Sequence, residues 1–233
     1  MAEAAVALIT GASRGIGLDL VRHYLAKGWN VVGCSRGPGA LEHPAYTHHE
    51  VDVTDETAVA AMVRAIGRQH GRLDLLVNNA GIASMNLALT TPGSTVERLL
   101  ATNFIGSFLV AREAAKLMMR RRFGRIVNLS TVAVPLRTEG ESIYAASKSA
   151  VATFTQILAK ELAPFGITCN VVGPGPVRTD LIAGVPEARL QQLVDQLPTR
   201  QFSTSADVAN AVDFFAKPES QAITGQVLYL GGV

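Results

Sequence analysis

The sequence predicts an α/β fold in which a parallel sheet of seven strands is covered by helices on both faces. First, short apolar runs typical of strands buried on both sides alternate with longer segments of helical periodicity. Second, strand and helix alternate six times before a last strand, which is the order of doubly wound sheets. Third, a glycine-rich turn joins the first strand to the first helix, and no repeat divides the 233 residues. We therefore expect one domain over residues 1–233.

In the N-terminal half, apolar runs indicate strands, and residues suited to helix ends delimit the helices. The predicted strands span residues 4–10, 30–35, 46–53 and 73–77. The first predicted helix follows the glycine-rich turn and ends at Gly28, and the second covers residues 55–69, capped by Thr54 and ended by Gly71.

The C-terminal half continues the alternation. The predicted strands span residues 125–129, 167–172 and 226–230, and the predicted helices span residues 95–122, 142–165 and 207–215. Between them, residues 180–203 mix apolar and polar side chains without a recognisable pattern. We expect this variable segment to face the substrate.

The turn Thr10-Gly11-Ala12-Ser13-Arg14-Gly15-Ile16-Gly17 lies between a strand and a helix. Glycines allow a backbone to approach a pyrophosphate, and a helix N-terminus offers free N–H groups. We therefore predict a dinucleotide site; the alternative is a glycine-rich turn without a ligand.

The end of the second predicted strand indicates which dinucleotide is bound. NAD sites usually place an acidic residue there for the ribose hydroxyls, whereas an arginine accommodates a 2′-phosphate. This chain has Ser35 and Arg36 at that point, and Arg14 lies in the glycine-rich turn. The pattern favours NADPH.

Tyr144 and Lys148 are four residues apart in a helical segment, so their side chains share one helix face. A cation near a phenol lowers its pKa and makes it a usable general acid or base. Such pairs also occur by chance on helix surfaces. Asn103, within the helix predicted over residues 95–122, is either solvated or required there.

Two asparagines, Asn78 and Asn79, follow the strand over residues 73–77, and they either fix loops or contact a ligand.

The composition argues against several other classes of protein. A net charge of +2 is too small to indicate a nucleic-acid or membrane partner. Cys34 and Cys169 lie in separate apolar runs, which indicates buried thiols in a reducing compartment. The five histidines show no metal-ligand spacing, so no metal site is expected. With no basic N-terminal region and no membrane-spanning apolar run, we expect a cytoplasmic protein.

Taken together, these motifs resemble the short-chain dehydrogenase/reductase family over nearly the whole chain. The family's T-G-x-x-x-G-x-G, N-N-A-G and Y-x-x-x-K patterns correspond to residues 10–17, 78–81 and 144–148, and its later P-G motif to Pro174-Gly175. The resemblance implies a single-domain Rossmann fold that binds NADPH or NADP⁺. The cofactor-binding residues it implies are Gly11, Ser13, Arg14, Gly15, Ile16, Gly17, Ser35, Arg36, Asp52, Val53, Asn79, Ala80, Gly81, Tyr144, Lys148, Pro174, Gly175, Val177 and Thr179.

The resemblance also implies the catalytic roles. Tyr144 would donate the proton, Lys148 would lower its pKa and bind the nicotinamide ribose, and Asn103 would hold a water of a proton relay. The family's serine lies thirteen positions before the tyrosine, where this chain has Thr131. We assign the catalytic hydroxyl to Thr131, with Ser130 as the alternative.

The implied reaction is NADPH-dependent reduction of a ketone to a secondary alcohol, in the manner of 3-oxoacyl-acyl-carrier-protein reductases. Those enzymes commonly carry two arginines for the carrier protein; Arg125 matches one, but Phe165 replaces the other. The alternatives are a general or biosynthetic ketoreductase without a carrier protein and a non-catalytic dinucleotide sensor on the same fold. The resemblance also implies a homotetramer, with a dimer as the next choice.

Overall fold

The computed structural model describes residues 3–233, so Met1 and Ala2, where the predicted domain begins, lie outside the described residues. Seven parallel strands form one sheet in the order β3-β2-β1-β4-β5-β6-β7, which confirms the predicted α/β class. The strands are β1 (Val6–Thr10), β2 (Asn30–Ser35), β3 (Tyr46–Glu50), β4 (Leu75–Asn78), β5 (Gly124–Leu129), β6 (Ile167–Gly173) and β7 (Val227–Tyr229).

Helices cover both faces of this sheet, as the sequence predicts. They are α1 (Gly15–Ala26), α2 (Glu56–His70), α3 (Gly93–Leu100), α4 (Gly106–Met119), α5 (Ala133–Leu136), α6 (Ser142–Leu162), α7 (Glu187–Asp195) and α8 (Ser205–Ala216). None of the helices within residues 3–233 combines the length and the apolar character needed to cross a membrane.

Two hydrophobic cores lie on opposite faces of the sheet. Alternate residues of a strand point to opposite faces, so Val6 and Leu8 of β1 join the core under α2, α4 and α6. Ala7 and Ile9 join the core under α1 and α8. The crossovers change direction between β1 and β4, and the crevice at such a switch point is where α/β sheets bind ligands.

The helix predicted over residues 95–122 is divided into three parts. It begins as α3 at Gly93, passes through a π-helical turn at Ala101–Ile105 and continues as α4 to Met119. The π-helical turn contains Asn103, which is fully buried and hydrogen-bonded outside its own helix. Such turns are frequent at functional sites, and periodicity alone could not reveal this one.

Two other expectations need correction, and the variable segment is partly regular. Asp55 caps α2 by accepting the Ala58 N–H at 2.9 Å, so the cap is not Thr54, whose own N–H and hydroxyl donate to Asp52. The third strand ends at Glu50 because Asp52 and the residues after it form a turn. The segment 180–203 contains a regular helix, α7.

Candidate active site

The glycine-rich turn is fixed to the loop after β4 by hydrogen bonds. Thr10 Oγ1 accepts the backbone N–H groups of Asn79 at 3.0 Å and Ala80 at 2.9 Å. Asn79 Nδ2 donates to Thr10 O at 2.8 Å and to Gly11 O at 3.2 Å. Gly11 has a φ of 68°, a conformation that side-chain-bearing residues rarely adopt. Asn79, which follows the neighbouring strand β4, therefore fixes the conformation of the turn.

Asn78 also makes contacts within the protein. Its Nδ2 donates to Asn128 Oδ1 at 2.8 Å and to Ser107 O at 3.1 Å. Asn128 in turn donates to Thr155 Oγ1 at 2.7 Å, which connects β4 and β5 to α6. The side chains of both asparagines thus fix neighbouring elements, one of the two roles that the sequence left open.

A cleft of about 370 Å³ lies over the turn at the carboxyl ends of β1 and β2. Most of the predicted cofactor residues line it: Gly11, Ser13, Arg14, Gly15, Ile16, Ser35, Arg36, Asp52, Val53, Asn79, Ala80, Gly81 and Thr179. Gly17 is not among the residues lining this cleft. A Cβ on Gly17 would collide with Gly11 O, so this glycine allows close packing under the turn.

Two arginines, Arg14 and Arg36, line the cleft together with Asp52 and Asp180. Arg36 is exposed there, and Arg14 Nη1 lies 3.5 Å from Asp180 Oδ2 in a solvent-exposed ion pair. The Ser35 hydroxyl donates to Gly37 O at 2.8 Å and contacts His48 Nε2 at 2.9 Å. His48 Nδ1 lies 2.8 Å from the Tyr46 hydroxyl. These contacts fix the backbone on both sides of Arg36.

A second cavity, of about 340 Å³, adjoins the first at the carboxyl ends of β5 and β6. Six residues line both: Ile16, Asn79, Gly81, Ile82, Thr179 and Leu181. Apart from Gly17 and Asn103, the second cavity contains the remaining predicted site residues: Ser130, Thr131, Tyr144, Lys148, Pro174, Gly175 and Val177. The structure thus brings the candidate catalytic residues together beside the candidate dinucleotide cleft.

Tyr144 is the buried phenol of this cavity. Burial, reinforced by the negative charge of Glu141, raises the pKa of Tyr144 to about 12, although a hydrogen bond with the Thr131 side chain acts in the opposite direction. From the sequence, Lys148 was expected to lower this pKa. Burial dominates instead, so the phenol is protonated near neutral pH.

Lys148 is buried beneath Tyr144 on the same helix. Its Nζ donates to Leu129 O at 2.9 Å, and burial lowers the pKa of Lys148 to about 8. A Cβ on Gly81 would lie 3.2 Å from Lys148 Nζ and 3.3 Å from Asn103 Oδ1. Lys148 Nζ and Asn103 Oδ1 therefore both approach Gly81 in the loop after β4.

Ser130 and Thr131 point in different directions. The Ser130 hydroxyl donates to Lys148 O at 3.4 Å and lies close enough to Tyr229 to oppose the rise in the pKa of that phenol. Thr131 Oγ1 accepts the Ala133 N–H at 3.2 Å, and the Thr131 side chain likewise opposes the rise in the pKa of Tyr144. Of the two hydroxyls, that of Thr131 is the one directed to the phenol.

Asn103 lies behind the cavity wall rather than in it. Its Nδ2 donates to Ile82 O at 3.0 Å and to Ser147 Oγ at 2.9 Å, and its Oδ1 accepts the Ile82 N–H at 2.9 Å. Ser147 Oγ donates to Tyr144 O at 2.7 Å. The side chain thus connects the loop after β4 to the helix that carries Tyr144.

Three polar residues of the cavity wall were not named as site residues from the sequence. Thr138, Glu141 and Arg189 line the cavity that contains Tyr144. Glu141 precedes Tyr144 by one helical turn, a spacing that could have identified it. Arg189 lies on α7, within the segment 180–203 that was expected to face the substrate, and this segment does line the cavity.

Arg125 is buried, contrary to its expected role as a carrier-protein contact. Its side chain is 1% exposed, and it donates to Gly124 O at 2.9 Å. Weaker bonds reach Lys217 O and Pro218 O, both at 3.4 Å. Arg125 therefore binds carbonyl groups after α8 instead of a protein partner.

Comparison with known proteins gives a consistent family assignment. The family model for enoyl-(acyl carrier protein) reductase matches residues 11–232. The 3-oxoacyl-[acyl-carrier-protein] reductase FabG of Escherichia coli is 32% identical over 99% of this chain and 97% of its own length. The FabG of Staphylococcus aureus is 34% identical over 97% of this chain and 96% of its own length.

Solved structures agree with this assignment. Ligand-free aldohexose dehydrogenase from Thermoplasma acidophilum superposes with a TM-score of 0.89 at 31% identity, covering 99% of this chain and 94% of that one. ElxO with NADP bound gives a TM-score of 0.90 at 30% identity, covering 97% of both chains. With the glycine-rich turn, Tyr144 and Lys148 in place on this fold, the chain belongs to the short-chain dehydrogenase/reductase family of oxidoreductases.

Proposed function

We propose that residues 1–233 form one domain that reduces a ketone to a secondary alcohol with NADPH. The observation that carries this proposal is the position of Tyr144. Its phenol lies with Thr131 in an apolar cavity that shares a wall with the dinucleotide cleft. A reaction between a cofactor in one cavity and a substrate in the other requires this arrangement.

The residues of the cleft fit NADPH. The positive φ of Gly11 lets backbone N–H groups approach a pyrophosphate. Ser35 stands where an acidic residue would repel a 2′-phosphate, and Arg36 and Arg14 offer charge-assisted bonds to that phosphate. ElxO, 30% identical over 97% of this chain, has been solved with NADP bound. When bound, NADPH supplies the hydride.

The protein's own groups would handle the proton and orient the ketone. Tyr144 is protonated near neutral pH, because its pKa lies well above 7, and it would donate the proton to the carbonyl oxygen. Thr131 would hydrogen-bond the same oxygen, while Lys148 would bind the nicotinamide ribose and add positive charge. The Asn103 side chain already hydrogen-bonds Ile82 and Ser147. The relay water would therefore bind the backbone carbonyl of Asn103, which also accepts a hydrogen bond from the Ser107 hydroxyl at 2.8 Å.

The substrate is a ketone in a largely apolar cavity, and two classes have support. The names of the FabG relatives favour a 3-oxoacyl thioester on a carrier protein. However, Arg125 is buried, and Phe165 is partly buried and packs against the core. Neither of the two predicted docking positions therefore offers a free side chain to a carrier protein. We therefore favour a small free ketone, the general ketoreductase alternative, and keep the carrier-protein thioester as the second candidate.

We also propose a homotetramer, with a dimer as the next choice. Exposed apolar side chains lie on neighbouring faces of the π-helical turn, α4 and α6: Ile105 is 45%, Phe108 37% and Ile157 53% exposed. The Phe108 ring packs edge-on against Phe154 of α6, which joins the two helices into one apolar surface. Light scattering at micromolar concentration tests this proposal, and a monomer would contradict it.

Tyr144→Phe tests the function directly because it removes only the transferable proton. We expect the variant to lose most of its ketone reduction and to bind NADPH with nearly unchanged affinity. Turnover should be measured by NADPH consumption, and affinity by fluorescence titration. Wild-type turnover in the variant would refute the assignment, and a wild-type protein that binds NADPH but reduces no ketone would favour the sensor alternative.

A further inference from the structure

The loop before α6 forms a tight turn at the cavity that contains Tyr144. The Glu141 N–H donates to Thr138 O at 3.2 Å, and Gly140 has a φ of 82°, as the third position of such a turn requires. The turn is held from two sides: the Asn86 N–H donates to Gly140 O at 2.8 Å, and Arg189 Nη2 donates to Glu139 O at 3.3 Å. These bonds fix the backbone that carries Thr138 and Glu141.

Both side chains have a buried polar atom without a partner. Thr138 Oγ1 and Glu141 Oε2 are inaccessible to solvent, and neither is hydrogen-bonded within residues 3–233. Glu141 is the N-cap residue of α6, yet its carboxylate does not cap the helix. Unpaired buried polar atoms are rare in folded proteins. Of the six such side-chain atoms within residues 3–233, only these two belong to residues that line the cavity with Tyr144, which makes them the candidate partners of a ligand there.

Glu141 also lies close to the reacting centre. It precedes Tyr144 by one helical turn, and its charge acts on the phenol. Burial raises the pKa of Glu141, while the positive charge of Arg189 lowers it. Much of the surrounding wall is apolar and includes Ile82, Met85, Leu136, Ile182 and Leu193.

On the basis of the proposed ketone reduction, we infer that Thr138 and Glu141 form a polar subsite for a hydroxyl group of the substrate, which is therefore a hydroxyketone. A hydroxyl donates to the Glu141 carboxylate and accepts from the Thr138 hydroxyl at the same time. A carbonyl or thioester group has no hydrogen to donate to Glu141. A cationic group is disfavoured because Arg189 already supplies a positive charge there.

The test compares two ketones that differ by one hydroxyl, α-hydroxyacetophenone and acetophenone, as substrates with NADPH. We expect Glu141→Leu to lower kcat/KM for the hydroxyketone by about tenfold to a hundredfold, the scale of one hydrogen bond to a charged group. Acetophenone should change by only a few-fold. Thr138→Val should shift the ratio in the same direction. Comparing variants with wild type removes the intrinsic difference in reactivity between the two ketones.

Glu161→Gln, an acidic residue exposed on the same helix, is the matched control and should leave both ketones unaffected. The dissociation constants of both ketones for the protein with NADP⁺, measured by calorimetry, give a second readout. A binding preference for the hydroxyketone that disappears in Glu141→Leu and Thr138→Val supports the subsite even if neither ketone turns over, in which case only the proposed reduction fails. Equal binding of the two ketones, or an unchanged preference in both variants, overturns the inference.

Discussion

Asn103 Nδ2 donates to Ser147 Oγ over 2.9 Å, and this bond connects the π-helical turn to the helix that carries Tyr144. Ser147 Oγ in turn donates a hydrogen bond to Tyr144 O at 2.7 Å. The same asparagine binds both backbone groups of Ile82 in the loop after β4. One buried amide therefore sets the position of the Tyr144 helix relative to the loop that lines both cavities.

We expect Ser147→Ala to lower kcat by roughly tenfold to a hundredfold, because a small displacement of a catalytic group has large effects on rate. Its unfolding free energy should fall by only about 1 kcal/mol, the usual contribution of one hydrogen bond. Asn103→Leu leaves more groups unpaired and should cost about 1–3 kcal/mol or more. Ser149→Ala, exposed on the same helix, is the control. Wild-type kcat in Ser147→Ala would mean that the connection is structural only.

The hydroxyl assignment can be tested with three variants. Thr131→Ala should lower kcat by about 10²–10⁴-fold, the usual scale for one positioned hydrogen-bonding group, because it removes the hydroxyl that acts on the Tyr144 phenol. Thr131→Ser keeps the hydroxyl and should restore most of the rate. Ser130→Ala should have a smaller effect, since its hydroxyl is directed to Lys148 O and Tyr229. The reverse order of effects would give the role to Ser130.

The pH dependence of reduction should reflect Lys148. This side chain is charged below its pKa of about 8 and neutral above it, whereas Tyr144, with a pKa of about 12, is protonated throughout. We therefore expect kcat to fall as the pH rises through about 8. Lys148→Arg retains its charge because arginine does not deprotonate in proteins, so its residual activity should show no such fall. A wild-type rate that stays constant well above pH 8 would contradict this assignment.

Cofactor preference should follow Arg36 and Arg14. Each charge-assisted bond to a 2′-phosphate contributes about 1.5–3 kcal/mol before solvent and salt reduce it, so kcat/KM should favour NADPH over NADH by at least about tenfold. Arg36→Leu should remove most of this preference. Adding Ser35→Asp should reverse it, because a carboxylate repels the phosphate and accepts the ribose hydroxyls. A wild-type ratio at or below one would show that the phosphate is not recognised.

The local chemistry of the site could be predicted from the sequence because it depends on short-range patterns. The glycine-rich turn follows a strand and begins a helix, and Tyr144 and Lys148 share a helix face because residues four apart always do. The alternation of apolar runs and helical segments was sufficient for the seven-stranded sheet. These features depend on neighbours along the chain.

Features that depend on contacts between distant segments were not predictable. Burial raised the pKa of Tyr144 where a neighbouring cation was expected to lower it, because desolvation is set by everything packed around the phenol. Arg125 matches one of the two arginines that bind a carrier protein in similar reductases, but it contacts carbonyl groups about ninety residues further along the chain. The π-helical turn at Asn103 and the polar subsite at Thr138 and Glu141 likewise form only when remote loops meet. Sequence periodicity fixes which face of an element is apolar, but only tertiary packing decides which buried polar group finds a partner.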